Sequence, residues 1–179
     1  MTKITISGTP GSGKSTVAKI LVEKLNLEYI YSGKIFRELA EKHNMSLEEF
    51  GSFCEKNEEI DKELDKKQID ILKTKEDIIL EGRLAGWLSY KNDISAFKVF
   101  LDADINIRTK RIIKREDGDF KKRKNEIIKR EKSEKTRYKK YYDINLDDTS
   151  VYDIIIDTED KNAQEISNII ISKLKKIGL

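Results

Sequence analysis

The chain has 179 residues, of which 37% are hydrophobic and 39% are charged, a composition that suits one globular domain and leaves too little length for two ordinary ones. Its one cysteine, Cys54, excludes a disulfide framework and a cysteine-based zinc site, and its one histidine, His43, argues against a serine–histidine catalytic pair. The formal net charge is +3, but residues 105–142 hold 16 Lys or Arg against 6 Asp or Glu, and this basic block suits a polyanion, either nucleotide phosphates or nucleic acid.

Short apolar runs alternate with helix-compatible segments along the chain. In chain order, we predict a strand at 3–7, a helix from residue 14, a strand at 29–31, a helix at 33–42, a helical segment at 46–73, a strand at 77–80, a strand at 97–101, a helix from residue 105, a helix at about 125–141, a strand at 152–156 and a helix at 163–175. This alternation indicates β-α-β units. We therefore predict an α/β fold in which residues 1–179 form one domain, with a five-stranded parallel sheet and helices on both faces.

Two segments interrupt this alternation and are candidate lids over a binding site. Residues 46–73 form a long amphipathic segment whose isoleucines and leucines are spaced as on one face of a helix. Residues 116–124 have the composition of a polar, charged loop and contain Gly118. Insertions of this kind in a compact α/β domain often close over a ligand.

The sequence also indicates where the protein acts. No apolar stretch approaches the roughly 20 residues that cross a membrane. The chain begins directly with a strand-like run and shows no signal peptide. We therefore expect a cytoplasmic protein with no membrane partner, and nothing in the sequence demands more than a monomer.

The strongest motif follows the first predicted strand and fits the pattern G-x-x-x-x-G-K-S/T, the P-loop. Its glycines permit backbone angles that direct the N–H groups of the loop toward a phosphate, and the helix that follows adds the positive end of its dipole. Lys14 is expected to reach the β- and γ-phosphates of ATP, and Ser15 to offer its hydroxyl to Mg²⁺. The residues that this prediction assigns to ATP are Gly8, Thr9, Pro10, Gly11, Ser12, Gly13, Lys14, Ser15 and Thr16.

The rest of the chain narrows the class of P-loop protein. The length leaves no room for a helicase core, and the N-K-x-D motif by which GTPases recognise their base is missing. A kinase that acts on a small molecule remains.

Two further motifs resemble those of the nucleoside monophosphate kinases. The first is Tyr31-Ser32-Gly33-Lys34-Ile35-Phe36-Arg37, and the second, which is similar to the start of the lid in adenylate kinase, is Arg111-Ile112-Ile113-Lys114-Arg115. The resemblance implies that Ser32, Gly33 and Arg37 grip the phosphate of the acceptor. It also implies that Arg111 stacks on the adenine of ATP and that Arg115 contacts the transferring phosphate.

A third motif is similar to R-D-x-x-D-x-x-R of the cytidylate kinases, and it reads Arg130-Glu131-Lys132-Ser133-Glu134-Lys135-Thr136-Arg137. Both acids are Glu here, which resembles the archaeal branch, as does Glu81-Gly82-Arg83-Leu84-Ala85-Gly86-Trp87. The resemblance implies that the flanking arginines hold phosphates and that Glu134 reads the amino group of cytosine. On spacing alone, Arg130, Glu134 and Arg137 share one helix face, which is also compatible with a solvated face of ion pairs.

Together these motifs imply an enzyme that transfers the γ-phosphate of ATP to CMP or dCMP, with Mg²⁺ as cofactor. Lys14, Arg115, Arg130 and Arg137 would stabilise the transferring phosphate. The acceptor site would consist of Ser32, Gly33, Arg37, Gly82, Arg83, Glu134 and Arg137. Ser15 would hold Mg²⁺, and Glu81 is a further candidate that would act through water.

The same resemblance divides the domain into three parts. The core would be residues 1–31, 74–115 and 150–179, the helices that bind the nucleoside monophosphate would be about 32–73, and the lid would be about 116–124.

Other readings of the sequence stay open at this point. The acceptor could belong to a UMP/CMP, adenylate or shikimate kinase, although shikimate kinases would show a Gly-Gly-Gly run where this chain has Glu81-Gly82-Arg83. A nucleic-acid-binding protein would use residues 105–142 as a basic surface, but the P-loop would then be unexplained. We therefore expect ATP and CMP or dCMP as partners and no nucleic acid.

Overall fold

The computed structural model describes residues 2–178, apart from the side chain of Lys34. Five strands form one sheet in the order β2-β3-β1-β4-β5, and all neighbouring pairs are parallel. The strands are β1 (Lys3–Gly8), β2 (Glu28–Tyr31), β3 (Ile78–Glu81), β4 (Phe97–Asp102) and β5 (Ile154–Asp157). The predicted five-stranded parallel sheet is thus confirmed.

Helices connect these strands and cover the sheet. They are α1 (Lys14–Leu25), α2 (Ser32–Lys42), α3 (Leu47–Lys56), α4 (Glu58–Thr74), α5 (Ala85–Lys91), α6 (Ile105–Glu116), α7 (Phe120–Tyr142) and α8 (Ala163–Lys176). The short helix α5 was not predicted, because its seven residues follow directly on the turn after β3.

Two cores pack against opposite faces of the sheet. On one face, α1 and α8 bury aliphatic side chains, among them Val17, Leu21 and Ile170, against Ile4 and Ile6 of β1. On the other face, residues of α4, α5 and α7 pack against β3. Side chains of β3 alternate between the cores, because successive residues of a strand point to opposite faces.

The helical insertion is two helices rather than the single segment expected over 46–73. Ser46 starts α3 with a capping box, in which its hydroxyl accepts from the Glu49 N–H and the Glu49 carboxylate accepts from the Ser46 N–H. The chain leaves the helical conformation at Asn57, where φ is −129° and ψ is 69°, and α4 then begins. This break is hard to predict from the sequence, because the charged residues on both sides of Asn57 are compatible with a continuous helix.

The charged loop expected over 116–124 is mostly helical, so that prediction of a loop was wrong. Only residues 117–119 lie outside a helix, because α6 runs to Glu116 and α7 starts at Phe120. Asp119 caps α7 by accepting from the backbone N–H of Lys122 at 2.9 Å. Asp117 and Gly118 have positive φ angles of 55° and 118°, which turn the chain sharply between the two helices. An Asp before a basic run is an N-cap signal, and it outweighs the polar composition.

Among residues 2–178, no helix is long and apolar enough to cross a membrane.

The close approach of β1 to β4 makes Gly8 the most restrictive position of the sheet. Gly8 has a φ of 149°, and a Cβ there would lie 2.1 Å from the Leu101 carbonyl oxygen. We expect Gly8→Ala to lower the free energy of unfolding by at least about 2 kcal/mol, because the overlap is with the backbone of a neighbouring strand. Urea unfolding of both proteins would measure the difference.

Gly178→Ala is the matched control, since a Cβ at Gly178 would have no heavy atom within 4 Å although its φ of 78° is also positive. Its loss should be clearly smaller. Equal losses in the two variants would contradict the steric account of Gly8.

Candidate functional site

The P-loop, residues 8–15, joins the carboxyl end of β1 to the start of α1. Gly11 and Gly13 adopt positive φ angles of 82° and 93°. Gly13 precedes α1 and has no side chain to cap it, so the first N–H groups of the helix are available to an anion. The Lys14 ammonium donates to the carbonyl oxygens of Gly8 at 3.0 Å and Thr9 at 2.8 Å, which folds its side chain back over the loop. The loop therefore has the geometry of a phosphate cradle.

The electrostatic state of Lys14 is unusual. Burial is the main cause that lowers its pKa, to about 7. The Glu81 carboxylate opposes this change, and the guanidinium groups of Arg83 and Arg130 add to it. The fraction of Lys14 that is a neutral amine should therefore gain a proton when an anion replaces its present carbonyl partners.

Arg111 lies on the outer side of the P-loop. Its guanidinium donates to Thr158 Oγ1 at 2.8 Å and to the Thr158 carbonyl oxygen, and Thr158 Oγ1 in turn donates to the Ser12 carbonyl oxygen at 3.1 Å. Arg111 lines a shallow pocket together with Gly11, Gly13 and Thr16. These four residues, all predicted to bind ATP, thus line the same pocket.

Sequence reasoning missed Arg108, which is 6% exposed and lies beneath the P-loop. It donates to the Pro10 carbonyl oxygen at 3.1 Å, to the Ala103 carbonyl oxygen at 2.8 Å and to Glu131 of α7 at 2.8 Å. Arg108 therefore ties the loop to the helix that carries the third motif. The charge-rich sequence around it gives no sign that this arginine is buried.

Ser15 and Glu81 meet at the inner side of the P-loop. Ser15 Oγ donates to Glu81 Oε1 at 2.8 Å, and the Tyr29 hydroxyl donates to Glu81 Oε2. Glu81 is 1% exposed, so its carboxylate is held in place by these two donors. The pair provides oxygen ligands of the kind that Mg²⁺ prefers. Among residues 2–178 there is no cluster of three or more His, Cys, Asp or Glu that could hold a metal by itself.

A deep cleft extends from the P-loop to the helical insertion. Its walls come from the P-loop, α2, α4, the turn after β3, and α7. Ser32 Oγ donates to the Glu81 carbonyl oxygen at 2.8 Å, and a Cβ on Gly82 would lie 2.1 Å from that hydroxyl, so the two turns are in close contact. Arg37 donates to the Tyr31 hydroxyl at the same end of the cleft. Gly33 lines this end as well.

Glu134 is held between two arginines. It accepts from Arg83 Nε at 2.6 Å through one oxygen and from Arg130 Nε at 2.9 Å through the other, and it is 3% exposed. Burial by itself would raise the pKa of this carboxyl, but the charges of Arg130 and Arg83 prevail and lower it to about 2. Glu134 is therefore ionised in the folded protein, and its charge is balanced within the cleft.

Arg137 pairs with a residue that the sequence did not single out, Asp61 of α4. Arg137 Nη1 lies 2.7 Å from Asp61 Oδ1 and 2.6 Å from Asp61 Oδ2, and the two residues are 2% and 4% exposed. Arg137 Nε is buried without a hydrogen-bond partner among the described residues. Burial raises the pKa of Asp61 despite the opposing charge of Arg137. The faces of Phe36 and Tyr138 flank the guanidinium.

A sequence signal for Asp61 does exist. Asp61, Leu64, Asp65 and Gln68 have the spacing of one helix face, and all four are buried. Polar residues on the buried face of a helix suggest a site rather than a core.

Arg115 is the one predicted catalytic residue that stands apart. Its guanidinium pairs with the neighbouring Glu116, and its side chain is 61% exposed at the rim of the cleft. The structure thus brings Lys14, Arg130 and Arg137 into one cleft, with Arg115 at its edge.

Known proteins resemble this chain in sequence. The model of the cytidylate kinase-like family matches residues 3–160. The chain is 42% identical over 175 residues to a protein named cytidylate kinase from Methanocaldococcus jannaschii, covering 97% of this chain and 98% of that one. It is 49% identical over 167 residues to one from Sulfurisphaera tokodaii, covering 93% and 92%.

Solved structures of lower identity share the fold. An uncharacterized protein from Eubacterium ventriosum aligns with a TM-score of 0.71 at 22% identity, over 98% of this chain and 99% of that one. Shikimate kinase from Acinetobacter baumannii, in complex with shikimate, aligns with a TM-score of 0.60 at 19% identity, over 100% and 96%. At these identities the likeness concerns the fold alone.

The lowered pKa of Lys14 predicts that ATP binding takes up protons. At a pH of about 8, a group with a pKa of about 7 is mostly neutral, and contact with phosphate should return it toward the ordinary value of about 10.4. We expect uptake to approach one proton per ATP bound at this pH and to vanish near pH 6. Calorimetry in two buffers of different ionisation enthalpy would measure it.

Lys14→Arg is the control, because a guanidinium stays charged throughout this pH range. ATP binding by this variant should show no uptake from position 14. Equal uptake by the variant and the parent would contradict the assignment to Lys14.

Proposed function

Because the chain belongs to the cytidylate kinase-like family, we propose that it transfers the γ-phosphate of ATP to CMP or dCMP, giving ADP and CDP or dCDP. The observation that carries this proposal is the cleft in which a P-loop faces two arginines of α7, Arg130 and the buried Arg137. Relatives named cytidylate kinase that align over nearly the whole chain support the acceptor.

The chemistry requires positioning and charge rather than a general base. A phosphate monoester has a second pKa of about 6, so the acceptor is already an anion at neutral pH. The protein has to hold two anions in line and neutralise the charge that develops between them. We assign this to Lys14, Arg115, Arg130 and Arg137, with Arg37 and Arg83 as anchors of the acceptor phosphate.

ATP would lie along the P-loop. Residues 8–15 would receive the phosphates, and the pocket of Arg111, Gly11 and Thr16 would receive the adenosine. Ser15 would hold Mg²⁺, and Glu81 would position the ion through water, since both are hard oxygen donors at the inner side of the loop. When bound, Mg²⁺ would neutralise phosphate charge and orient the phosphates.

The arginines of the cleft would exchange carboxylate partners for phosphate partners. Arg137 on Asp61 and Arg130 on Glu134 are neutralised in the structure, and both guanidinium groups suit bidentate contacts to phosphate. Such an exchange keeps each of these two guanidinium groups paired with an anion before and after substrate binds.

The role of Glu134 is open between two predictions. The resemblance to cytidylate kinases implies that it reads the cytosine amino group. Its contacts favour a different role, since each oxygen accepts from an arginine, and Glu134 would then orient Arg83 and Arg130. Glu134→Gln separates the two roles. If Glu134 orients the two arginines, the variant should have lower turnover with every acceptor. If Glu134 recognises the base, the variant should change the ratio of the activity with CMP to the activity with UMP.

The turn at 117–119 would act as the lid, shorter than the sequence suggested. It joins α6, which carries Arg111 and Arg115, to α7, which carries Arg130 and Arg137. Movement of this corner would bring the exposed Arg115 over the bound phosphates and exclude water, which suppresses hydrolysis of ATP. All the residues assigned to the two nucleotides lie on this chain, so the proposed reaction needs no second subunit. We propose a monomer that acts in the cytoplasm.

A panel of acceptors tests the proposal directly. Purified protein with ATP and Mg²⁺ would be offered CMP, dCMP, UMP, AMP, GMP or shikimate separately, while ADP release is followed. We expect turnover with CMP or dCMP far above that with the others. A preference for AMP or shikimate would refute the assignment of cytosine as the acceptor base. ADP release that does not depend on any of these acceptors would refute the assignment as a kinase.

Arg137→Ala should lower kcat by about 100- to 1000-fold, because it removes charge that stabilises the transition state. The variant also leaves Asp61 buried without its partner, which costs about 3–5 kcal/mol of stability. Steady-state kinetics and urea unfolding would measure the two effects.

The double variant Asp61→Asn/Arg137→Ala distinguishes them. It should regain much of the stability, since the unpaired charge is gone, but not the turnover. Lys139→Ala, at an exposed position of the same helix, should change neither. Recovery of turnover in the double variant would refute a catalytic role for Arg137.

A further inference from the structure

The face of α4 that turns away from solvent lines the cleft. Asp61, Leu64, Asp65 and Gln68 all belong to the wall of the cleft, although each is less than 10% exposed. Asp61 pairs with Arg137. The role of Gln68 is not explained by any contact considered so far.

The Gln68 amide has a defined orientation. Its Nε2 donates to Asp65 Oδ1 at 3.1 Å and lies 3.5 Å from the Leu64 carbonyl oxygen. A backbone carbonyl can only accept, so the nitrogen of the amide faces the Leu64 oxygen and Oε1 faces the other way.

Gln68 Oε1 has no hydrogen-bond partner among the described residues, although Gln68 is only 6% exposed. Buried polar atoms of a folded protein nearly always have a partner, and an exception calls for an explanation. An acceptor atom at the wall of a cleft is explained if a ligand supplies the donor.

Oε1 lies on the acceptor side of the cleft. A Cβ built on Gly82 would lie 3.2 Å from Gln68 Oε1 and 2.1 Å from Ser32 Oγ. Gly82 and Ser32 are assigned to the acceptor nucleotide, whereas ATP is assigned to the P-loop. The nucleotide that lies nearer to the unpartnered oxygen is therefore the acceptor rather than ATP.

A second contact fixes this arrangement from α7. The Tyr142 hydroxyl donates to Asp65 Oδ2 at 2.7 Å, while Asp65 Oδ1 accepts from Gln68. Tyr142, Asp65 and Gln68 form a chain of hydrogen bonds that ends at Oε1. A chain held from two helices preorganises its last acceptor, which strengthens discrimination between ligands.

We propose that Gln68 is the residue that selects cytosine, with Oε1 accepting a hydrogen bond from the 4-amino group of the acceptor base. This rests on the proposed function and deepens it. Uracil carries a 4-keto oxygen at the same place, so two acceptors would face each other and repel. Glu134 is a weaker candidate for this selection, since both its oxygens accept from arginines.

Gln68→Met tests the proposal, because methionine keeps the length of the side chain and removes the acceptor. We expect kcat/KM for CMP to fall about 10- to 100-fold, as for loss of one buried hydrogen bond, while kcat/KM for UMP stays within about threefold. Gln68→Glu keeps an oxygen toward the base and should retain the preference for CMP. The matched control is Gln164→Met, at an exposed position of α8, which should leave the ratio unchanged.

A change to the substrate distinguishes recognition from damage to the fold. The 5′-monophosphate of the pyrimidin-2-one ribonucleoside lacks the 4-amino group. The parent protein should lose about 10- to 100-fold in kcat/KM with this analogue relative to CMP, and Gln68→Met should show almost no further loss. Thermal unfolding would confirm that the variants are folded.

The outcomes separate this inference from the proposed function. A parent protein without CMP-dependent ADP release refutes the function itself. Suppose instead that the parent phosphorylates CMP. If Gln68→Met then keeps the parent's ratio of kcat/KM for CMP to kcat/KM for UMP, and the parent's loss of kcat/KM with the analogue, Gln68 is not the selecting residue, and the proposed function still holds.

Discussion

The structure depends on the pairing of arginines and carboxylates inside the cleft. Arg137 and Asp61 are both at least 96% buried, and Glu134 lies between Arg83 and Arg130 with 3% of its surface exposed. A buried charge without a partner costs several kcal/mol, so these groups can persist in the cleft only as pairs. A site for ATP and a nucleoside monophosphate needs such cations, and the carboxylates neutralise them in the folded protein before phosphate binds.

The same pairs determine how the insertion meets the rest of the domain. Asp61 lies on α4 and Arg137 on α7, 76 residues apart in sequence. The Tyr142 hydroxyl reaches Asp65 and the Tyr141 hydroxyl reaches the Cys54 carbonyl oxygen, so polar contacts join α7 to both helices of the insertion. Polar contacts therefore bound the acceptor cleft between α7 and the insertion, where an ordinary domain would pack apolar side chains. Such polar groups can exchange one hydrogen-bond partner for another when substrate binds.

The order of the sheet explains why the two nucleotide sites adjoin. β1 and β3 are parallel neighbours, and Gly82 follows β3 at the edge where Gly8 ends β1. In open parallel sheets, ligands bind at the carboxyl ends of the strands, where connections leave in opposite directions. The P-loop and the Gly82–Arg83 turn are thus placed side by side by the topology, and Glu81 connects them through Ser15 and Ser32.

Much of this was available from the sequence. The P-loop, the parallel sheet and the arginines of α7 were predicted because each depends on a local pattern. The sequence did not predict the roles of Asp61, Gln68 and Arg108. These roles depend on contacts that only the folded chain defines, such as the pairing of Asp61 with Arg137 across 76 residues of sequence. The prediction of a loop at 116–124 was wrong for the opposite reason, because it followed the polar composition and overlooked a local signal, the N-cap at Asp119.

The central claim is that phosphate passes directly from ATP to the acceptor within this cleft. A single turnover with ATP labelled in the γ-phosphate, in the presence of CMP and excess enzyme, tests it most directly. The account predicts that the label appears in the β-phosphate of CDP at the rate at which ADP forms. Label that appears instead as inorganic phosphate, with CMP unchanged, would contradict it.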